Sequence, residues 1–174
     1  MKKFSIVFIV ISMCLSLCAC GEKDIQTLNE AVSYNFTIPE EWEIVRDEGI
    51  IELRYDCNQS EQIAEYATII SHTFELNDEQ RDFGAKNYWD EYKSDVESLA
   101  GYTELDYEEI ELDGTPALKV KYSYSPATLT YVSEQIICCR LGEVFLITLT
   151  APEAYADDVA TVFDGVIDTF EFKK

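Results

Sequence analysis

The sequence predicts an α+β domain whose central sheet of about seven strands is covered by helices on both faces. Residues 136–139 and 144–147 are consecutively apolar. Because successive side chains of a strand point to opposite faces, such strands are buried on both sides. Two other segments, 77–99 and 150–170, repeat apolar residues at helical spacing. We expect these two helices to be the layers that cover the sheet.

The first 19 residues are typical of a signal peptide that is cleaved. Lys2 and Lys3 precede an uncharged run, residues 4–19, that is 16 residues long. A helix that crosses the hydrocarbon core of a membrane needs about 20 apolar residues. A cleaved signal over residues 1–19 is therefore expected in place of a transmembrane anchor, and it is left out of the fold.

The end of this segment resembles the lipobox of bacterial lipoproteins in Leu17, Cys18, Ala19 and Cys20. In that family the cysteine carries a diacylglycerol group and becomes the first residue of the mature protein. The resemblance implies that Cys20 is the lipid attachment site, that residues 20–32 form a tether, and that the protein lies on the extracytoplasmic face of the cell membrane. Cys18 departs from the usual alanine, serine or threonine. The alternative is that Cys14, Cys18 and Cys20 are ordinary residues of an uncleaved apolar segment.

The mature chain would be strongly acidic. Removing residues 1–19 leaves 155 residues and changes the formal charge from -21 to -23, because Lys2 and Lys3 are lost. Nucleic-acid binding depends on clustered lysine and arginine, so a nucleic-acid partner is excluded. Aromatic residues make up 13% and apolar residues 47% of the sequence, which is typical of a folded protein. We expect one domain, residues 33–174.

An alternating pattern begins this domain. Tyr34, Phe36 and Ile38 alternate with polar residues and predict a half-buried strand, which Pro39 ends. Trp42 follows the proline and is expected to pack back on the sheet.

Segments 50–55 and 65–75 predict two further strands. In the second of them Ile70, His72 and Phe74 share one face, because side chains two residues apart point the same way. His72 is the only histidine of the sequence. Between two apolar neighbours it is expected to be a packed or hydrogen-bonded strand residue, and we assign it no catalytic role.

The first helix is predicted over residues 77–99. Its apolar stripe, which we expect in the core, consists of Ala85, Tyr88, Trp89, Tyr92, Val96 and Leu99. Asn77 and Gln80 have the spacing of a capping box, and Gly101 lies where a helix stop is expected.

A hairpin is predicted around Asp113 and Gly114, because both central positions of such a turn need a positive φ. The flanking strands are residues 105–112 and 115–124. A two-residue turn fixes the register, which sets Leu105 against Tyr122, Asp106 against Lys121, Tyr107 against Val120 and Glu108 against Lys119. One face is then apolar near the open end, and the other carries two pairs of opposite charge.

Residues 129–139 and 143–150 predict a second hairpin, and a helix follows it. Thr150 and Glu153 have capping-box spacing with Pro152 between them, so the helix is expected to begin there. Its apolar face consists of Tyr155, Val159, Val162, Phe163, Val166, Ile167 and Phe170. Gly165 inside this helix suggests close packing on the sheet.

Three cysteines remain after the lipid site, and on an oxidising cell surface Cys57 could form a disulfide with Cys138 or Cys139. Only one of the two adjacent cysteines suits a given partner, since neighbours on a strand face opposite ways. The alternative is that all three are buried free thiols that behave as small apolar residues.

Two acidic groups are weak candidates for a cation site. They are Glu108, Glu109, Glu111 and Asp113, and the pair Asp157 and Asp158. Neither has the spacing of an EF-hand loop, and runs of charge are usually solvated faces.

Most enzyme classes lack their motifs in this sequence. A lone histidine gives neither metal-ligand spacing nor a Ser-His-Asp triad with its nucleophile elbow. Phosphate loops and dinucleotide fingerprints are missing as well. A pair of carboxylates for glycoside hydrolysis stays open, because two acids can come from anywhere in an acidic chain.

Five short motifs follow one another in the order Phe36-Thr37-Ile38-Pro39 with Trp42, Asp113-Gly114, Gly142-Glu143-Val144-Phe145, Thr150-Ala151-Pro152 and Val166-Ile167-Asp168-Thr169-Phe170. Their order, over residues 34–172, resembles the PsbP-like family of the Mog1/PsbP fold. The resemblance implies an α/β/α sandwich with a mainly antiparallel sheet and two main helices. That family includes photosystem II subunits, a Ran-binding protein and bacterial lipoproteins, and it has no shared catalytic residues.

The function expected from the sequence is that of a non-catalytic binding or assembly module for envelope proteins. The lipid on Cys20 would hold it on the membrane, and no cofactor is expected. The alternative is a lipoprotein that binds a divalent cation, calcium or manganese, or another small ligand. A hydrolase is a further alternative.

Overall fold

The computed structural model describes residues 32–59 and 64–173. The strands in this part of the chain are β1 (Tyr34–Asn35), β2 (Glu43–Asp47), β3 (Ile50–Asp56), β4 (Tyr66–Glu75), β5 (Thr103–Leu112), β6 (Thr115–Tyr124), β7 (Tyr131–Arg140), β8 (Glu143–Pro152) and β9 (Glu171–Phe172). The helices are α1 (Ala85–Glu97), a 3-10 turn (Glu153–Tyr155) and α2 (Ala156–Asp168). None of the described helices is long and apolar enough to cross a membrane.

Seven of these strands form one antiparallel sheet in the order β2-β3-β4-β8-β7-β6-β5. The short strands β1 and β9 pair separately. Helix α1 packs against β6 and β7, and α2 packs against β8 and β7 on the opposite face. The predicted α+β sandwich with a seven-stranded antiparallel sheet and two helices is thus confirmed.

Two apolar cores lie on the two faces of the sheet. The α2 core contains Val159, Phe163 and Val166 of the helix together with Ile136 and Ile147 of the sheet. The α1 core contains its own set, of which Tyr88, Trp89, Leu118, Ile137 and Leu146 are members. Ile136 and Ile137 are adjacent in sequence and belong to different cores, as expected for a strand buried on both faces.

The first predicted hairpin has its expected register near the turn. Tyr107 pairs with Val120, Glu108 with Lys119 and Asp106 with Lys121. Asp113 has φ 45° and Gly114 has φ 71°, so both central turn residues are left-handed. The prediction for Leu105 is wrong.

Leu105 lies in a β-bulge, and Glu104 takes its expected place opposite Tyr122. A bulge puts two residues of one strand opposite one residue of its partner, so the register beyond it shifts by one. Leu105 is 50% exposed as a result and does not extend the apolar face.

Both helices begin later than predicted. Asn77 does cap a turn, because its Oδ1 accepts from the backbone N–H of Glu79 and Gln80, each at 2.9 Å. That turn does not continue, and α1 begins only after the extended residue Gly84. Gly101, with φ 70°, lies after the end of α1 as expected.

The second capping box does not form. Thr150 and Pro152 belong to β8, where the Thr150 hydroxyl lies 2.8 Å from that of Ser133. Glu153 opens a 3-10 turn, and α2 follows it. Gly165 does not approach the sheet either: it is exposed, and a Cβ atom added there would meet nothing within 4 Å.

The N-terminal strand is shorter than its alternating pattern suggests. Only Tyr34 and Asn35 pair, although Phe36 is also buried. Trp42 stacks on Tyr55 of β3 with ring centroids 5.6 Å apart, so it packs on the sheet as predicted. The sequence pattern does not predict β2, because its sequence, EIVRD, is mostly charged. Charged residues are common on edge strands.

Candidate binding surface

The predicted lipid site lies outside the described residues. Leu17, Cys18, Ala19 and Cys20, and with them the signal peptide, fall before residue 32. The lipobox and the attachment of lipid to Cys20 therefore stay predictions.

The fold rules out the predicted disulfide. Cys57 follows β3 and Cys138 lies in β7, three strand spacings away in the sheet order, which amounts to about 14 Å. A disulfide needs Cα atoms within about 7 Å of each other. Cys139 is a neighbour of Cys138 on β7, and the same separation excludes it. All three residues are free thiols, as in the alternative, but only Cys138 is fully buried; Cys57 and Cys139 are partly buried.

Burial makes the two β7 thiols unreactive. It raises the pKa of Cys138 to about 12 and the pKa of Cys139 to about 11. The pKa of Cys57 is also raised, by burial first and by nearby Asp56 and Glu65 to a lesser extent. A raised pKa lowers the fraction of reactive thiolate, so the two β7 thiols are expected to behave as small apolar residues.

The structure does not bring the candidate cation ligands together. Glu108 and its neighbour Glu109 point to opposite faces of β5, and Glu111 shares the face of Glu109. Asp113 Oδ2 is occupied by the backbone N–H of Phe172 at 3.0 Å. In the described part of the chain, no group of three or more His, Cys, Asp and Glu residues is arranged to hold a metal ion.

Helix α1 covers only part of its face of the sheet. It packs on β6 and β7, so side chains of β3 and β4 on the same face remain in contact with solvent. We call this region the open face and define it by five residues, Arg54, Tyr66, Ile70, His72 and Phe74. Tyr66 is 45%, Ile70 36% and Phe74 40% exposed. Their strand neighbours Ala67 and Ile69 point the other way and are fully buried in the α2 core.

Ring contacts join the residues of the open face. The guanidinium group of Arg54 lies 5.0 Å from the centroid of the Tyr66 ring. His72 stacks on Phe74 at 5.7 Å, and Phe74 meets Tyr88 of α1 at 6.1 Å. Burial lowers the pKa of His72 below its ordinary value of 6.5, so the ring is neutral at neutral pH. His72 is thus a packed strand residue, as predicted.

Glu52 fixes the position of the arginine. Its Oε1 lies 3.2 Å from Nη2 of Arg54, and its Oε2 lies 3.7 Å from Nη2 of Arg46. The Glu52 side chain is only 16% exposed, so solvent weakens its ion pair with Arg54 less than it would weaken a pair between fully exposed groups. The open face therefore presents an oriented arginine beside an apolar aromatic row.

Sequence reasoning found this row but not its exposure. The alternation of Ile70, His72 and Phe74 predicts that these residues share one strand face. Whether that face is covered depends on where α1 lies across the sheet, which no local pattern specifies.

Comparison with known proteins identifies the fold. Neither protein-family models nor curated protein sequences match this chain. Among solved structures, LpqN of Mycobacterium tuberculosis, which is involved in cell envelope biogenesis, matches with a TM-score of 0.60 and 14% identity over 86% of this chain and 90% of that chain. The Saccharomyces cerevisiae Ran-binding protein Mog1p matches with a TM-score of 0.59 and 13% identity over 85% and 96%.

A third match is the PsbP protein of Synechocystis sp. PCC 6803, CyanoP, with a TM-score of 0.57 and 15% identity over 90% of this chain and 98% of that chain. A Bacteroides thetaiotaomicron protein also matches, and this chain spans about half of its length, 47%. At these identities the likeness concerns the fold. The protein has a Mog1/PsbP-like fold.

Proposed function

We propose that the protein is a lipid-anchored lipoprotein of the extracytoplasmic membrane surface, where it acts as a non-catalytic module that binds an envelope protein. Cys20 carries the anchor in this proposal. Two acyl chains hold a protein on a membrane stably, at about 0.8 kcal/mol for each buried CH₂ group. The predicted tether, residues 20–32, ends at Val32, which is buried in the α2 core; the residues before it keep the domain within some tens of ångströms of the bilayer, at ~3.5 Å per residue.

The observation that carries the binding function is the open face. Protein interfaces are enriched in tyrosine, phenylalanine and arginine, and their energetic centres are aromatic and arginine residues. Tyr66, Phe74 and Arg54 provide this composition on the sheet surface of an acidic protein. A partner that covers Ile70 would remove exposed apolar surface from water, which is the main driving force of association.

The structural neighbours support a role of this class. LpqN is involved in cell envelope biogenesis, and Mog1p is a Ran-binding protein. Both share the overall fold of this chain, with TM-scores of 0.60 and 0.59.

Site-specific cross-linking in cells tests the binding function. A photoreactive amino acid at Ile70 of the full-length protein should give a discrete cross-linked product in the membrane fraction. The same group at Glu91, an exposed position on α1, is the matched control and should give none. The pair Tyr66→Ser and Phe74→Ser should abolish the Ile70 product, with normal folding because neither ring belongs to the buried core. Equal products at both positions would contradict binding at the open face.

The anchor needs its own experiment. Metabolic labelling with an alkyne fatty acid should mark the protein, and Cys20→Ser should remove both the label and the membrane association. Cys18→Ser is the control and should keep both, since serine is usual at that lipobox position. Membrane association that survives Cys20→Ser would contradict the lipid anchor.

A further inference from the structure

Strand β5 is an edge of the large sheet. Its ten residues, Thr103–Leu112, pair with β6 on one side, and no strand of the described residues pairs with the other side. Leu112 and Thr115 flank the two-residue turn and form the hydrogen-bonded pair, so the backbone groups of Glu111, Glu109 and Tyr107 point away from β6. In agreement with this, the N–H of Tyr107 donates to Oδ1 of Asp106 at 2.8 Å, not to β6.

The edge is acidic on both of its faces. Five of its ten residues carry carboxylates and none is basic: Glu104, Asp106, Glu108, Glu109 and Glu111. All five are exposed. Asp106 and Glu108 lie opposite Lys121 and Lys119 of β6. Glu109 and Glu111 lie opposite Leu118 and Pro116, so no cation of β6 faces them.

Each face of the edge opens into a cleft. On the α1 side a cleft of about 640 Å³ is lined by Glu109 and Glu111, by Lys86 of α1, and by apolar atoms of Ala85, Pro116 and Leu118. On the α2 side a smaller cleft of about 220 Å³ is lined by four carboxylates and two lysines, Asp106, Glu108, Glu134, Asp164, Lys119 and Lys121, so acids outnumber bases there as well. Because side chains of a strand alternate between faces, a strand laid along β5 would send its side chains into both clefts.

We propose that the outer edge of β5 receives an extended basic segment of a partner protein as an additional strand of the sheet. The outward backbone groups of Glu109 and Glu111 supply the main-chain hydrogen bonds, as in other cases of strand addition. Lysine or arginine side chains of the segment pair with the carboxylates in the two clefts. This docking site is separate from the open face, and the partner that it would bind is a basic segment.

Charge selects this occupant over a second copy of the chain. Like charges directly opposite each other on paired strands are destabilising. Pairing of β5 with β5 of another copy would face five carboxylates with five more, on molecules whose formal charge is already -21. The bulge at Leu105 interrupts the edge, which limits the docking segment to the length of residues 106–112.

The test uses the full-length protein in detergent and a short, blocked peptide of lysine and threonine residues that carries a fluorophore. Fluorescence anisotropy should show saturable binding of this peptide. A control peptide in which glutamate replaces every lysine should not bind. The double variant Glu109→Lys/Glu111→Lys should weaken binding by about tenfold or more, because it removes two ion pairs and adds repulsion. The control Glu91→Lys/Asp95→Lys makes the same change of net charge on the exposed side of α1. Its affinity for the peptide should stay within about twofold of that of the unchanged protein.

N-methylated peptides separate strand addition from simple charge attraction. One peptide carries N-methyl groups at its odd positions and another at its even positions, with all charges unchanged. Only one edge of a docked strand faces β5, so one of the two should bind like the parent and the other should lose binding by about tenfold or more. Hydrogen exchange should slow at the amides of Glu109 and Glu111 with the parent peptide.

Two results would overturn the proposal. Equal binding of both N-methylated peptides would show charge attraction without strand addition. If the α1 control Glu91→Lys/Asp95→Lys weakened binding as much as Glu109→Lys/Glu111→Lys does, binding would depend on net charge and not on the β5 edge. Neither result affects the cross-linking outcome at Ile70, because that surface belongs to β4.

Discussion

The Nζ atom of Lys119 lies 3.0 Å from Oε2 of Glu134, whose side chain is only 4% exposed. The other oxygen of Glu134 accepts from Nζ of Lys121 at 2.8 Å. Lys119 also reaches Asp164 of α2 at 2.7 Å, so one lysine connects β6, β7 and the helix. The buried carboxylate is thus satisfied on both oxygens by lysines of the neighbouring strand.

Replacing Glu134 by glutamine should destabilise the fold by about 1–3 kcal/mol, because two partly buried lysines lose their common partner. Denaturant unfolding measures this as a lower midpoint with an unchanged slope. Asp164→Asn removes the 59% exposed partner and should change the free energy of unfolding by less than about 1 kcal/mol. Equal effects of the two variants would contradict the importance of the buried pair.

Gly165→Ala should stabilise the protein by about 0.5–1 kcal/mol. Alanine is the better helix former by this amount, and its methyl group would meet no atom within 4 Å. Thermal unfolding gives the readout. Gly114→Ala is the opposite case and should destabilise, because φ at Gly114 is 71°. A loss of stability in Gly165→Ala would mean that the helix face at this residue is covered.

Leu141→Asn should also stabilise the protein, by about 0.5–1 kcal/mol. Leu141 is 86% exposed, so little packing is lost, and its φ of 54° lies in the left-handed region that asparagine tolerates better than leucine. Denaturant midpoints compare the variant with Leu141→Val, in which the branched side chain should lower stability. No gain with asparagine would indicate that Leu141 has a contact that its exposure conceals.

His72 should titrate below 6.5 in the folded protein, because burial disfavours its charged form. As the pH falls below 6.5 the unfolded chain then binds more protons than the folded one, so the free energy of unfolding should decrease toward the folded pKa. His72→Gln should remove this component of the pH dependence. A proton NMR titration gives the pKa directly, since the sequence has one histidine. A value at or above 6.5 would contradict the prediction.

Alkylation of the native protein at pH 8 should modify Cys57 before Cys139 and Cys138. The pKa of Cys138 is raised to about 12 and that of Cys139 to about 11, so their thiolate fractions are very small. Peptide mapping by mass spectrometry after timed quenching gives the order. In denaturant the three rates should become similar. A disulfide-linked peptide of Cys57 and Cys138 without prior reduction would contradict the topology.

Local patterns predicted the elements well where local forces decide them. Asp113 and Gly114 fixed the turn and its neighbouring pairs, since only a few residues adopt two positive φ angles in succession. The turn residues do not determine the bulge at Leu105, which lies near the other end of the strand. In the same way Asn77 forms its capping hydrogen bonds, yet α1 begins only after the extended residue Gly84.

The sequence by itself determined the number of layers and the class of the fold, because consecutive apolar residues such as Ile136 and Ile137 require cover on both faces of a strand. It also determined the acidic character that selects possible partners. Only the tertiary structure decided which surfaces stay open. Helix α1 rests on β6 and β7, which leaves Tyr66, Ile70 and Phe74 exposed, and β5 ends the sheet with its outer backbone unpaired. Both outcomes depend on contacts between residues far apart in the chain, whose energies no local periodicity encodes.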